Sequence, residues 1–281
     1  VLEFSDYNTL SWSTAAAAGA ASVALRISSC AGTVIFGNHI EGSTAAAVSG
    51  SSQTALNSNV LAALGAAGQG VSFEPGNAGL SMSSNAVTGG AAGAGLYLGS
   101  GNSGLIMVST NIFRSGGQYG VFAATQASGA SVWLTSNTIH PTLSASRDTY
   151  GIYFDGLATG ATVQNNGVYY RGSGSMGAFT SFALKARSAR GLVIERNRVS
   201  QPGVLTGGSY VGVDFIDADG SVVRFNDFHA AGGGMTDVFL LRLSGSFGVA
   251  VKNNVFLSSV SVSGSSATIS ISADSQSGFL S

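Results

Sequence analysis

The sequence predicts an all-β solenoid, and three observations carry that prediction. An Asn followed two residues later by an aliphatic residue or Phe recurs at Asn8, Asn38, Asn59, Asn85, Asn111, Asn137, Asn166, Asn197, Asn226 and Asn254, at spacings of 21 to 31 residues. A unit repeating at that period marks a stacked-repeat architecture. The fifth and third residues before the Asn are apolar in turn after turn, as in Leu80 and Met82, Ile106 and Val108, Val132 and Leu134, Leu192 and Ile194, Val249 and Val251. That period of two describes a strand with one buried face. Finally, 41 glycines and abundant Ser, Thr and Val disfavour helix, while only three prolines permit long hydrogen-bonded ladders.

A second apolar segment, closed by a Gly bend, precedes each such strand. Examples are Val23–Ile27 before Gly32, Val71–Phe73 before Gly79, Leu96–Leu98 before Gly104, Gly151–Phe154 before Gly160, Val211–Phe215 before Gly220 and Val238–Leu241 before Gly248. A third strand starts directly after the Asn, whose second neighbour is apolar every time. Each repeat therefore holds three short strands, two bends and one variable connection. A β-α-β unit needs about 30 residues or more, so the shorter repeats suit one coil of a solenoid with strands stacked in parallel. The tight turn before the third strand needs a residue tolerant of left-handed dihedrals, and Asn is expected to fill that role itself.

The pattern V-x-x-N-x-V/F, as in Val193–Val199 and Val222–Phe228, resembles the parallel β-helix repeat of the pectin-lyase-like fold over nearly the whole chain. The resemblance implies one right-handed parallel β-helix domain over residues 1–281, of about ten turns with three strands each. It also implies that the ten Asn side chains stack as an internal amide ladder. The physics agrees, because a buried amide needs partners and an identical amide one coil away, at ~4.8 Å, supplies them.

Charges test the register. Glu195, Arg224 and Lys252 each sit two residues before their Asn, and Arg198 and Asp227 one after. Asp155, Lys185, Asp214 and Arg242 are expected in one column of alternating sign, which favours cross-strand pairing. Residues 3–8 read as a second strand lacking a first. Residues 267–272 read as a first strand, and Phe279-Leu280 as the start of a second. These open half-turns suggest flanking segments of a longer chain, or copies stacking end to end into a filament. The Ala-rich run Thr14–Leu25 lacks a basic flank and is expected to be a loop entering a strand, not a signal segment.

A net charge of −1, from 12 basic and 13 acidic residues, gives no footprint for nucleic acid. No apolar run approaches the ~20 residues of a membrane-spanning helix. Cys30 is the one cysteine, so no intrachain disulfide forms. Sparse charge with heavy Ser, Thr, Gly and Asn points to an extracellular or cell-surface location.

Enzymes of the resembled fold are mostly polysaccharide lyases and hydrolases, acting on the outer face of the first strand. Glycoside hydrolysis needs paired carboxylates, and the candidate cluster here is Asp214, Asp217 and Asp219. The N-T-D, paired-Asp, G-H-G and R-I-K blocks of those hydrolases are absent. The D-x-D-G stretch lacks the further oxygen ligands of a calcium loop. Arg171, Lys185, Arg187 and Arg190 crowd one region, without a spacing that marks a lyase base. His140 and His229 share a column but lie three coils apart, roughly 14 Å, so neither a metal site nor a cofactor is expected. Tyr97, Phe122 and Tyr153 each follow a Gly-aliphatic pair and are expected to form an outward aromatic row. With Asp155 and Lys185, that row is the candidate ligand surface, able to stack on sugars or be buried against another subunit. No column is consistently Thr, which argues against ice binding.

The resulting expectation is a non-enzymatic, extracellular structural or adhesive β-helix, in its sharper form a filament subunit. The competing expectation is a carbohydrate-active enzyme or carbohydrate-binding module working on a surface polysaccharide from the first-strand face.

Overall fold

Three parallel sheets wind around one apolar interior to form a β-helix. The computed structural model describes residues 1–115, 117–157, 160–170, 174–201, 205–271 and 278–279. Among these the sheets hold eleven, eleven and ten strands, each strand paired with its counterparts one repeat before and after. One coil runs through Ala94–Leu98 in the first sheet, Ser103–Ser109 in the second and Ile112–Ser115 in the third. The next coil, Tyr119–Ala123, Ser131–Thr135 and Thr138–His140, lies in parallel register on it. No helix long and apolar enough to cross a membrane occurs among the described residues.

The alternation predicted from the sequence is realised in the interior. Leu80, Met82, Ile106, Val108, Val132, Leu134, Leu192, Ile194, Val249 and Val251 are all buried. So are Ile40, Leu61, Val87, Phe113, Ile139, Val168, Val199 and Phe228, the apolar residues that follow the Asn. Each coil thus contributes inward side chains from all three strands, and stacking removes them from water.

The amide ladder runs from Asn38 to Asn254. At Asn137 the backbone N–H donates to Asn166 Oδ1 at 2.9 Å, and its own Nδ2 reaches the same oxygen at 3.0 Å. Nδ2 also donates to Val108 O of the preceding coil at 2.8 Å. Asn137 Oδ1 in turn accepts from the backbone and the amide of Asn111, both at 3.0 Å. Each side chain therefore ties three successive coils, and the same pattern repeats at Asn59, Asn85, Asn166, Asn197 and Asn226.

Several sequence expectations are corrected. Asn8 is not a rung. Thr9 pairs with Val34 and Thr14 with His39, so Ser13 occupies the ladder position, and its N–H donates to Asn38 Oδ1 at 2.9 Å. Asn8 instead folds back on Ser5, meeting the Ser5 hydroxyl at 3.0 Å. The left-handed residue is the one before the ladder position: Trp12 ahead of Ser13, and Gly37, Ser58, Ser84, Thr110, Ser136, Asn165, Arg196, Phe225 and Asn253 ahead of their Asn, all have positive φ, from 51° at Trp12 to 67° at Gly37. The Asn is selected for its amide and not for its backbone. Thr14–Leu25, expected as a loop entering a strand, does enter the strand Val23–Ser28 but also contains the strand Thr14–Ala16. Leu2–Glu3 pairs with Ile27 and Ser28 in the first sheet, so the second strand of that coil begins only at Thr9. At the other end Ser266–Ile271 lies in the first sheet and Gly278–Phe279 in the second, as expected. The variable connections also build strand: Gly174–Arg187 and Leu205–Ile216 pair beyond the body of the sheet, and residues 171–173 lie outside the described residues.

Asn137→Leu strands the amide and N–H of Asn111 together with Val108 O, and is expected to cost about 3 kcal/mol in urea unfolding. Asn8→Leu, off the ladder, should stay within about 0.5 kcal/mol of the parent. A second prediction concerns two interior phenols, Tyr170 and Tyr210, which meet edge to face at 5.9 Å. Burial pushes both above the ordinary tyrosine value of 10.0. The folded chain therefore holds these protons more tightly than the unfolded chain. Stability should be level with respect to them below pH 10 and fall as the pH rises further. Tyr210 Oη has no hydrogen-bond partner among the described residues. Tyr210→Phe is thus expected to raise stability by about 1 kcal/mol at pH 7 and to flatten the alkaline decline, both measurable by denaturant titration.

Candidate functional site

The outer face of the first sheet gathers most of the candidate residues into one strip. Register places Tyr97 beside Phe122, Phe122 beside Tyr153, Tyr153 beside Lys185, Lys185 beside Asp214 and Asp214 beside Arg242. The aromatic row and the charge column are thus a single column. Asp155 does not belong to it. It pairs with Arg187, whose Nε and Nη2 each approach its carboxylate at 2.9 Å. Counting back from the Asn misplaced it because the stretch from Tyr153 to Thr162 is one residue longer than that from Lys185 to Val193, which pair with them.

A second outward column runs three residues earlier: Tyr119, Tyr150, Phe182, Val211 and Phe239. Strand alternation forbids residues three apart from sharing a face unless one residue is extra. Here Tyr150 and Tyr153 join an outer cluster while Ile152 and Phe154 join the interior, so alternation slips at Gly151. A Cβ at Gly151 would stand 2.5 Å from Ala183 O and 2.7 Å from Val168 Cγ1, so that position has no room for a side chain. Gly120, Ala183 and Gly212 occupy the equivalent place in neighbouring coils. The sequence signal for this column was the residue ahead of the small one, in Tyr119-Gly120-Val121-Phe122 and Tyr150-Gly151-Ile152-Tyr153.

The rings pack at the spacing of the coils. Phe182, Tyr150 and Tyr119 stack at 5.1 Å with interplanar angles of 7° and 14°. Tyr97 and Phe122 stack at 5.3 Å and 9°, while Phe122 meets Tyr153 edge-on at 5.6 Å. Partial burial raises the pKa of Tyr119, Tyr150 and Tyr153, with Asp148 and Asp155 adding to the effect, so the phenols stay protonated and able to donate. Lys185 Nζ sits 4.3 Å from the Phe182 ring centroid, a cation over an aromatic face.

At the charged end Asp214 is fully buried. Arg242 grips it with Nε at 2.7 Å and Nη2 at 2.9 Å, and Lys185 Nζ lies at 3.8 Å. The hydrogen-bonded carboxylate holds Arg242 above its ordinary value. Asp217 takes a left-handed corner at φ 53°, and Asp219 accepts the Phe247 N–H at 2.9 Å and faces Arg190 at 3.9 Å. Asp217 and Asp219 line a pocket of about 290 Å³ with Gly156, Ser188 and Arg190, whereas Asp214 lines another of about 310 Å³ with Arg242 and Ser270. The three aspartates therefore do not converge on one cleft. Arg171 lies outside the described residues. His140 and His229 are separated by the rungs of Tyr169 and Ser200. Among the described residues no group of three or more His, Cys, Asp or Glu could hold a metal ion.

Fold and surface together define a parallel β-helix with an aromatic and ionic strip on its first sheet. No protein-family model and no curated protein matches the chain. Among solved structures it is similar to the Streptococcus pneumoniae surface protein and adhesin PfbA, with 10% sequence identity and a TM-score of 0.39, over 86% of this chain and 76% of that one. The functional reading rests on the geometry of the strip alone.

Asp214→Ala would leave Arg242 and Lys185 facing each other without a counter-charge, and is expected to cost about 3 kcal/mol in equilibrium unfolding. Adding Arg242→Leu to that variant should recover at least half of the loss.

Proposed function

We propose that this chain is a non-catalytic, adhesive β-helix that works outside the cell and binds a glycan along the outer face of its first sheet. The observation that carries this reading is the pair of aromatic columns, held in register over successive coils and closed at one end by the Lys185, Asp214 and Arg242 network. The partly exposed rings, Tyr97, Tyr119 and Phe122, offer a sugar an apolar surface and, at the two tyrosines, phenol hydroxyls, while Tyr150, Tyr153 and Phe182 are buried. The strip follows the axis of the solenoid, so it suits an extended chain better than a compact solute. The carboxylates speak against hydrolysis as the primary role: both oxygens of Asp214 are engaged by Arg242, and Asp217 and Asp219 line a separate pocket.

The test is retention on immobilised polysaccharides together with a reducing-end assay. Phe122→Ala is expected to weaken retention at least about fivefold while the thermal unfolding profile stays cooperative, in line with a stacking contact of about 1 kcal/mol. No new reducing ends or unsaturated products should appear. Product release that disappears in Asp217→Ala or Asp219→Ala would favour the lyase or hydrolase reading.

End-to-end assembly is a second reading, favoured by the first coil, where Phe4, Tyr7 and Trp12 are 83%, 82% and 78% exposed. A second copy, or further coils of a longer chain, would cover those rings. Light scattering across a hundredfold dilution distinguishes the two: self-association falls on dilution and is weakened by Trp12→Ser, whereas a concentration-independent monomer removes the filament reading.

A further inference from the structure

The two aromatic columns stop at the same place. The ring next after Tyr97 would stand at Ser72, and the ring next after Tyr119 would stand at Ala94 and then Gln69. A stack leaves its last ring with one face that no other ring covers. Tyr97 and Tyr119 both border a notch of about 190 Å³, lined as well by Gln69, Ala92, Gly93, Ala94 and Phe122. Gln69 and Tyr119 are two coils apart, about 9.6 Å along the axis, with Ala94, itself buried and bonded to the Gln69 amide, between them.

We infer that this notch is a subsite for a single uncharged pyranose ring, seated against the open face of Tyr119 and beside Tyr97. The inference rests on the glycan-binding reading and adds to it where the chain is gripped and by what kind of sugar. Size comes first: the volume is below the roughly 300 Å³ at which pockets for drug-sized ligands begin, so one ring fits and a disaccharide does not. Charge comes second. The notch is lined by aromatic, amide and methyl groups with no Asp, Glu, Lys or Arg among them, and the charges that act on Tyr119 are the carboxylates of Asp148 and Asp155. A uronate would lose hydration there without gaining a counter-ion. Polarity comes third. Gln69 Oε1 accepts the Ala94 N–H at 2.6 Å, which fixes the amide across the floor. Its Nε2 makes one long bond to Ala67 O at 3.3 Å and carries a second N–H. That donor and the Tyr119 hydroxyl bracket the space where sugar hydroxyls would lie. A purely aromatic ligand would leave both donors unanswered.

The experiment is calorimetric titration of the full chain with cellohexaose, xylohexaose, mannohexaose, chitohexaose and hexagalacturonate. At least one of the four neutral probes is expected to bind, and hexagalacturonate to bind at least tenfold more weakly than that probe. Ala94→Phe, which fills the notch with a ring, and Tyr119→Ala, which removes its back wall, should each weaken the neutral probe at least tenfold. Tyr119→Phe keeps the ring face but loses the hydroxyl, and should weaken the neutral probe by about threefold, less than Tyr119→Ala. Circular dichroism confirms that each variant retains its strands. Neutral binding that is unchanged in Ala94→Phe and Tyr119→Ala, yet lost in Phe122→Ala, would overturn the subsite and leave the glycan reading standing. Binding of hexagalacturonate alone would also overturn it. Binding of none of the five probes overturns both readings together.

Discussion

The structure depends on one repeated arrangement, in which a buried carboxamide bonds to the coil behind it and the coil ahead. A parallel β-helix must turn its chain sharply between the second and third strands, and each turn exposes backbone N–H and C=O groups to an apolar interior. Asn answers that problem because its amide offers two donors and an acceptor. At Asn111, Asn137 and Asn166 these bind an adjacent amide, an adjacent backbone N–H and a carbonyl of the preceding coil. Leaving such groups unpaired in a dry interior costs far more than an exposed bond returns. The ladder thereby fixes which residues of neighbouring coils face each other, and every outer column inherits that register.

The outer strip shows the inheritance. Once Tyr153 lies beside Lys185, the cation falls over Phe182 and within reach of Asp214. The alternation slips by one at Gly120, Gly151, Ala183, Gly212 and Leu240, which brings a second column to the same face. The result is an apolar cluster on the outside of the solenoid, separate from the interior, with Tyr150, Tyr153, Phe182 and Val211 buried among themselves. Outer residues of a solenoid are ordinarily free to be polar. Here successive coils instead stack aromatic side chains on one another outside the interior, and the proposed glycan contact is placed where that stack stays partly exposed.

Much of the candidate site was legible as residues and little of it as geometry. Tyr97, Phe122 and Tyr153 were visible because a Gly-aliphatic pair precedes each, and Lys185, Asp214 and Arg242 because they share an offset from the Asn. Their union into one column was not visible, since it depends on a bend whose length changes between coils. Tyr119, Tyr150 and Phe182 were overlooked because strict alternation assigns residues three apart to opposite faces. Asn8 misled for a related reason: it satisfies the local pattern, but Ser13 is the residue that meets Asn38.

The sequence by itself determined that this chain is an all-β solenoid, which residues point inward and where the amide ladder runs. Those properties follow from apolar periodicity and side-chain chemistry within single strands, and both are local. Tertiary structure alone decided the pairing of Asp155 with Arg187, the replacement of Asn8 by Ser13, the corner conformation of the residue before each Asn, and the merging of rings and charges into one strip. Each of these is fixed by hydrogen bonds between coils some 21 to 34 residues apart, whose register sums every bend and bulge along the way.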